Sequence, residues 1–156
     1  MSYCMTKAKN MKGVTIVIVA ALLLLAPSLG AQERSGVGLG IMLGQPSGIS
    51  AITWLGGGNA VDLVAAWAFT GSGSFYLHAD YQFHTYVDRP MSAFAGVGGF
   101  VVLRDDPTIG FRIPVGVTFL LRELPMDFFL EIAPAMSLLP STDFDLFGGL
   151  GFRFYF

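Results

Sequence analysis

The stretch Gly149-Leu150-Gly151-Phe152-Arg153-Phe154-Tyr155-Phe156 closes the sequence and decides the fold. Successive side chains of a β-strand point to opposite faces, so one face of this stretch is apolar and aromatic and the other is small or polar. In water, an exposed face of this kind is an aggregation hazard, whereas the lipid-facing side of a membrane barrel requires it. The stretch therefore predicts a strand of a transmembrane β-barrel, with Arg153 and Tyr155 facing the lumen.

The composition agrees with many strands and turns under an apolar outer surface. Of the 156 residues, 53% are hydrophobic and only 13% are charged, with 20 glycines and 14 phenylalanines. Globular domains carry about 25% charged residues. The length predicts a single domain.

The first 31 residues have the pattern of a secretory signal peptide. Lys7, Lys9 and Lys12 precede an apolar run over residues 14–26, and small residues follow at 27–31. Cleavage after Gly30 and cleavage after Ala31 fit equally well, and Met5 or Met11 are alternative starts. The alternative of an uncleaved anchor helix is disfavoured because the run is shorter than the ~20 residues that a spanning helix needs. We expect residues 1–31 to be removed and residues 32–156 to form the barrel domain.

The remaining chain is acidic and has no cysteine. Its six arginines face eleven aspartates and glutamates, a net charge of −5, which disfavours nucleic acid as a partner. Cys4 lies in the leader, so the domain has no disulfide, thiol nucleophile or cysteine-based metal site.

Eight segments after the leader alternate in the strand period and are separated by short turns rich in glycine, proline and polar residues. They cover residues 36–44, 49–55, 60–69, 75–86, 92–102, 110–120, 127–137 and 144–156. An even number of strands lets an antiparallel meander close into a barrel. We predict an all-β, eight-stranded antiparallel up-and-down transmembrane barrel, with the facing of the fifth strand undecided and with β-bulges at Pro114 and Pro134.

The chain resembles the small eight-stranded bacterial outer-membrane barrels, such as the OmpA membrane domain and OmpX. The resemblance rests on the leader, the strand spacing and the ending Gly151, Phe154 and Phe156. The segments 38–48, 77–81 and 110–116 are also similar to those of uncharacterised short-loop barrels. The resemblance implies location in the outer membrane, contact with the lipid bilayer and lipopolysaccharide, and recognition of the last strand by the barrel-assembly machinery. The short connections argue against an adhesin or receptor role, and closing the barrel leaves no free edge, which favours a monomer.

The alternation turns a set of charged and histidine side chains into the lumen. This set is Asp62, His78, Asp80, His84, Arg112, Asp127, Glu131, Asp145 and Arg153. Counting back from the turn at residues 122–125 places Arg112 directly or diagonally opposite Glu131, with Arg153 within reach of Glu131 across the next hairpin. Buried charges must be paired, so we expect salt bridges that plug the barrel. The alternative is a narrow pore for ions or small solutes, lined by the same pairs.

We expect no cofactor, no metal and no enzymatic activity. Asp62, His78, Asp80 and His84 share the inward face, but the two histidines lie about 20 Å apart along an extended strand and cannot share one ion. A lipid-modifying enzyme would need a serine beside a histidine. The only such set is His78 with Ser72 or Ser74, and these serines lie in a Gly-Ser turn, which is a poor place to hold a nucleophile beside its base.

Outward aromatic residues fall near the two ends of the strands, as interfacial girdles do. The predicted girdle is Trp67, Phe69, Phe75, Phe83, Phe119, Phe128 and Phe152. The alternative is a soluble lipocalin-like barrel, which would place these aromatics inside and polar residues outside. In that barrel the glycines that we assign to the lumen would lie on the exterior.

Overall fold

The computed structural model describes residues 36–68, 74–88, 90–121 and 123–156. The predicted signal peptide, Phe69, Ser72, and the turn residues Arg89 and Arg122 lie outside this part. Among the described residues there is no helix long and apolar enough to cross a membrane. The described chain is all-β, as predicted, and its strands are β1 (Val37–Gln45), β2 (Gly48–Gly56), β3 (Asn59–Ala68), β4 (Ser74–Asp88), β5 (Met91–Leu103), β6 (Thr108–Arg112), β7 (Val115–Leu120), β8 (Met126–Leu139) and β9 (Asp143–Tyr155).

The strands form a single antiparallel sheet that closes into a ring. Neighbours in the ring are neighbours along the chain, with β6 and β7 sharing one place, and β1 pairs with β9, where Gly40 lies opposite Arg153. The ring leaves no strand of the described chain with an open edge, so each strand has hydrogen-bonded neighbours on both sides. The prediction of a closed up-and-down antiparallel sheet is confirmed.

The sixth predicted strand is interrupted at Pro114 and appears as β6 and β7. Both pieces lie between β5 and β8, and the register is the same on either side, with Arg112 opposite Ala135 and Val115 opposite Ile132. The predicted bulge at Pro114 is therefore wrong, since no residue is inserted. The Pro114 carbonyl accepts a hydrogen bond from Gly96 N at 2.8 Å, and only the return bond from a proline N–H is missing.

Pro134 is accommodated in the same way inside β8. Its carbonyl accepts a bond from Ile113 N at 2.9 Å, and it stays in register opposite Leu146 on β9. The predicted bulge at Pro134 is wrong as well. The two prolines lie on neighbouring strands at one level of the ring. Because neither has a backbone N–H to donate, the hydrogen-bond ladder is interrupted at that level, and β6 ends before β7 begins. The register between β6 and β8 shifts instead between Ile109 and Gly110 of β6.

The β2–β3 connection depends on glycine. Gly56, Gly57 and Gly58 have φ angles of 91°, 62° and 82°, a left-handed region that favours glycine. The triple glycine that the sequence marked as a turn therefore forms a tight hairpin, which fixes Asp62 on β3 opposite Ile52 on β2.

The alternation of the strands separates an apolar exterior from a polar interior. Leu130 is 55% exposed on the outside, while its neighbours Phe129 and Glu131 are buried inside. The undecided fifth strand turns Phe94 and Phe100 inward and Val97 outward. Inward glycines make room for these side chains: a Cβ at Gly110 would lie 2.5 Å from the Phe100 ring.

Candidate functional site: a buried charge network

Six charged or titratable side chains meet in the interior of the ring, and we refer to them as the charge network. They come from five strands, β3, β4, β6, β8 and β9, and each is nearly inaccessible to solvent. The members are Asp62, His78, Asp80, Arg112, Glu131 and Arg153. All six were predicted from inward parity, and the closed ring brings them together.

Arg112 is the centre of one half of the network. It is 0% exposed, its Nε lies 3.2 Å from Asp80 Oδ2, and its Nη2 donates to Glu131 Oε1. The predicted cross-strand position is wrong, because Arg112 is opposite Ala135 and Glu131 is opposite Gly116. The pair still forms, because both side chains are long enough to cover the offset across the interior.

The contact with Arg112 decides the proton position on His78. The Nδ1 of His78 lies 2.7 Å from Arg112 Nη1 and 3.3 Å from the Tyr76 hydroxyl. A guanidinium group can only donate, so Nδ1 must accept and the ring proton sits on Nε2. That Nε2 lies 3.7 Å from Asp62 Oδ2 and 3.5 Å from Asp80 Oδ2. His78 Nε2 therefore lies between the carboxylates of the two halves of the network.

Arg153 is the centre of the other half. It is 1% exposed and donates from Nη2 to Asp62 Oδ1 at 2.8 Å and from Nε to the Ser50 hydroxyl at 2.8 Å. Its guanidinium carbon also lies 3.9 Å from the centre of the Phe129 ring, a cation–π contact. The predicted pairing of Arg153 with Glu131 is wrong. The partner lies on β3, because Asp62 reaches Arg153 across the interior rather than across a hairpin.

Asp62, His78 and Asp80 form the one group of potential metal ligands found among the described residues, with ligand atoms within 4.8 Å of one another. The neighbouring arginines argue against an ion there. Arg112 and Arg153 already pair with these carboxylates, and a metal ion on His78 Nε2 would have to displace the proton there and move Arg112 away from Nδ1. The donor set fits an ion-pair network better than a metal centre.

Three other predicted lumen residues lie outside the network. Asp127 is buried and accepts a hydrogen bond from the Tyr155 hydroxyl. Asp145 is half-buried at one end of the ring and accepts from Ser137 Oγ at 3.2 Å. His84 is half-buried, contacts Gln82 Oε1 at 3.0 Å and packs between the rings of Trp54 and Phe94. Asp127 thus lies beside the network, opposite its member Arg153 on the neighbouring strand, whereas Asp145 lies at one end of the ring.

In the described part of the chain, the ring nitrogens of His78 are not paired with a serine. Both nitrogens of the ring face charged partners, Arg112 on one side and the two aspartates on the other. Ser74 opens β4 opposite Ala68, at the end of the ring, while His78 lies further along the strand opposite Val64. The second candidate, Ser72, lies outside the described residues.

The predicted girdle residues that the structure describes lie on the exterior. Trp67 pairs with Phe75 near the β3–β4 connection, while Phe83, Phe119, Phe128 and Phe152 lie toward the opposite end. The rings of Phe128 and Phe152 are 6.4 Å apart. In the predicted assembly signal, Gly151 packs inward against the Phe129 ring, Phe154 is half-buried on β9, and Phe156 follows that strand.

Ser50, Tyr76 and Tyr155 support the buried charges and were not singled out from the sequence as members of the site. Each has the inward parity of its strand, and that parity is the signal that could have identified them. Their partners lie on other strands, Arg153 for Ser50, Arg112 for Tyr76 and Asp127 for Tyr155. Sequence spacing alone does not reveal contacts across the ring.

No family model, curated protein or solved structure matches this chain.

Proposed function

We propose that the chain is an integral outer-membrane β-barrel protein whose polar lumen is closed by the charge network and whose role in the envelope is structural. The observation that carries this proposal is the inverted distribution of side chains. Large apolar residues such as Leu130, Ile132 and Leu150 are half or more exposed on the wall, while Arg112 and Arg153 are buried inside. A water-soluble barrel has the opposite arrangement, whereas a membrane barrel has an apolar band outside and a polar interior.

The exterior apolar surface extends around the whole described wall. Exposed large hydrophobic residues occur on every described strand and on both sides of each hairpin. Contiguous apolar patches on soluble monomers rarely exceed a few hundred Å². In this proposal β6 and β7 act as one wall strand, which gives the eight strands of the small outer-membrane barrels, and the exterior aromatics near both ends form the interfacial girdles.

An outer-membrane location also defines what surrounds the protein. Lipid and lipopolysaccharide cover the apolar wall, and the assembly machinery recognises the last strand through Gly151, Phe154 and Phe156. The closed ring has no free edge with which to pair, so the protein works as a monomer.

The closed lumen rests on the contacts of Arg112 and Arg153. The two guanidinium groups connect side chains of five strands, β3, β4, β6, β8 and β9. Arg112 pairs with Asp80 through Nε and with Glu131 through Nη2, and Arg153 pairs with Asp62. Opening a path would strip partners from buried charges, at a cost of several kcal/mol for each ion. This cost favours a plug over a pore.

Conductance across a planar lipid bilayer tests the plug. We expect the wild-type protein to leave the bilayer sealed and the double variant Arg112→Ser/Glu131→Ser to open small channels, because it removes the central ion pair and side-chain volume together. Arg104→Ser/Asp106→Ser is the matched control, since it removes the same two charges from an exposed connection. Steady channels in the wild type that disappear on substitution at Arg112 and Glu131 would refute the plug and support the pore.

A further inference from the structure

A second feature of the interior is an open cavity of about 600 Å³ at the end of the ring that carries the β5–β6 and β8–β9 connections. Its depth is aromatic, formed by Tyr76, Phe100 and Phe147. Its rim is formed by the two connections and is exposed. The volume lies within the range of cavities that bind small organic molecules, about 300–1,000 Å³.

The rim of the cavity is strongly acidic. Asp105 and Asp106 lie on the β5–β6 side and Asp143 and Asp145 on the β8–β9 side, against Arg104 as the one cation among the lining residues that the structure describes. Acidic walls around a low-dielectric opening concentrate cations there. The chemistry of the rim therefore selects a positively charged ligand.

The floor of the cavity selects an organic cation over a metal ion. The ring of Phe147 meets the rings of Tyr76 and Phe100 edge-on, at 5.5 and 5.3 Å between centres, and the latter two are stacked at 5.8 Å. Aromatic faces attract ammonium groups and the methylenes beside them. The rim aspartates are also not gathered around one point: in the described chain the only compact set of three metal-ligand atoms is that of Asp62, His78 and Asp80.

We propose that this cavity is a binding site for organic cations that carry two or more amine charges on an apolar chain, the polyamine class. The acidic groups on the two sides of the rim each hold one amine, and the apolar segment lies over the aromatic floor. The site is separate from the charge network, because the floor residue Tyr76 closes the cavity and its hydroxyl faces Arg112 and His78 behind it.

Calorimetric titration of spermidine tests the site. The protein, expressed from the full sequence and purified in an uncharged detergent, is titrated at low ionic strength with spermidine and, separately, with magnesium chloride. We expect one spermidine per chain, and an affinity roughly tenfold lower in Asp105→Asn/Asp106→Asn, which removes two exposed carboxylates. Phe147→Leu keeps every charge and removes one floor ring, and we expect it to weaken binding about threefold.

Asp88→Asn is the matched control, because Asp88 is an exposed aspartate at the opposite end of the ring. We expect its affinity to stay within about twofold of wild type, since it removes only a distant surface charge. Circular dichroism verifies that each variant retains its sheet. Equal loss in the Asp88 variant, or binding of magnesium as tight as that of spermidine, would show a general attraction of cations and overturn the proposal. Unchanged affinity in Phe147→Leu would overturn the role of the aromatic floor and with it the assignment to organic cations, and an absence of spermidine binding would overturn the site itself.

Discussion

Replacing Arg153 with methionine is the most informative perturbation of the interior. Methionine occupies a similar volume but removes the donors to Asp62 and Ser50, both at 2.8 Å. Asp62 is 1% exposed and would be left as a buried carboxylate with His78 Nε2 at 3.7 Å. Removing one member of a buried ion pair costs about 3–5 kcal/mol, so we expect Arg153→Met to lower the free energy of unfolding by about 4 kcal/mol.

The double variant Arg153→Met/Asp62→Asn separates the ion pair from general packing. Because the asparagine side chain is uncharged, the unpaired buried charge disappears and at least half of the lost stability should return. Arg104→Met is the matched control. Arg104 is exposed and donates to Thr108 Oγ1 at 3.1 Å, so its loss should cost less than about 1 kcal/mol.

Equilibrium unfolding by guanidinium chloride in lipid vesicles measures these differences, with fluorescence of Trp54 and Trp67 as the signal. A destabilisation of Arg153→Met by less than about 1 kcal/mol, the value expected of an exposed pair, would contradict a buried ion pair. A double variant no more stable than Arg153→Met would show that the unpaired charge of Asp62 is not the cause.

Two further substitutions test the packing of the wall from its two faces. A methyl group at Gly40 would collide with the Phe152 carbonyl and lie 2.7 Å from Arg153 Cα, so Gly40→Ala should cost about 1–3 kcal/mol in the same unfolding assay. Gly99→Ala is its control, because the nearest atom there is 3.5 Å away, and a loss as large as that of Gly40→Ala would contradict the packing of the interior. On the outer face, Leu130→Arg should cost about 2–4 kcal/mol in vesicles if the wall faces lipid, whereas the same change at Leu124, in the β7–β8 connection, should cost under about 1 kcal/mol. Equal effects at Leu130 and Leu124 would argue that both positions face water.

The sequence predicted the faces of the strands well wherever one parity was clearly apolar. In β4, Phe75, Leu77 and Phe83 alternate with His78 and Asp80, and the burial follows that alternation. Strand β5 could not be read this way. Its glycines occur in both parities, and both parities carry large apolar residues, Phe94 and Phe100 in one and Val97 and Val101 in the other. Its facing is set by the room that glycines on neighbouring strands, such as Gly110 and Gly116, leave for the Phe100 and Phe94 rings.

The members of the charge network could be predicted, but their partners could not. Inward parity identifies Arg153 and Asp62, yet they are far apart in sequence and meet only because the sheet closes. Hairpin counting favoured Glu131 as the partner of Arg153, since it considers only strands that are neighbours. The predicted bulges at the two prolines were wrong because that prediction also considered each strand by itself. Pro114 and Pro134 lie on adjacent strands at one level of the ring, where both keep their carbonyl hydrogen bonds and no inserted residue is needed.

The exposed apolar wall is the central claim, and spin-label accessibility in lipid vesicles tests it most directly. Cys4 is the single cysteine of the sequence, so Cys4→Ser gives a background for one label at a time at Leu130, Ile132 or Leu150, with Leu124 as the control. We expect the three wall positions to be accessible to dissolved oxygen and shielded from a water-soluble nickel reagent, and Leu124 to show the reverse. Wall labels that the nickel reagent reaches as readily as it reaches Leu124 would contradict a barrel embedded in lipid.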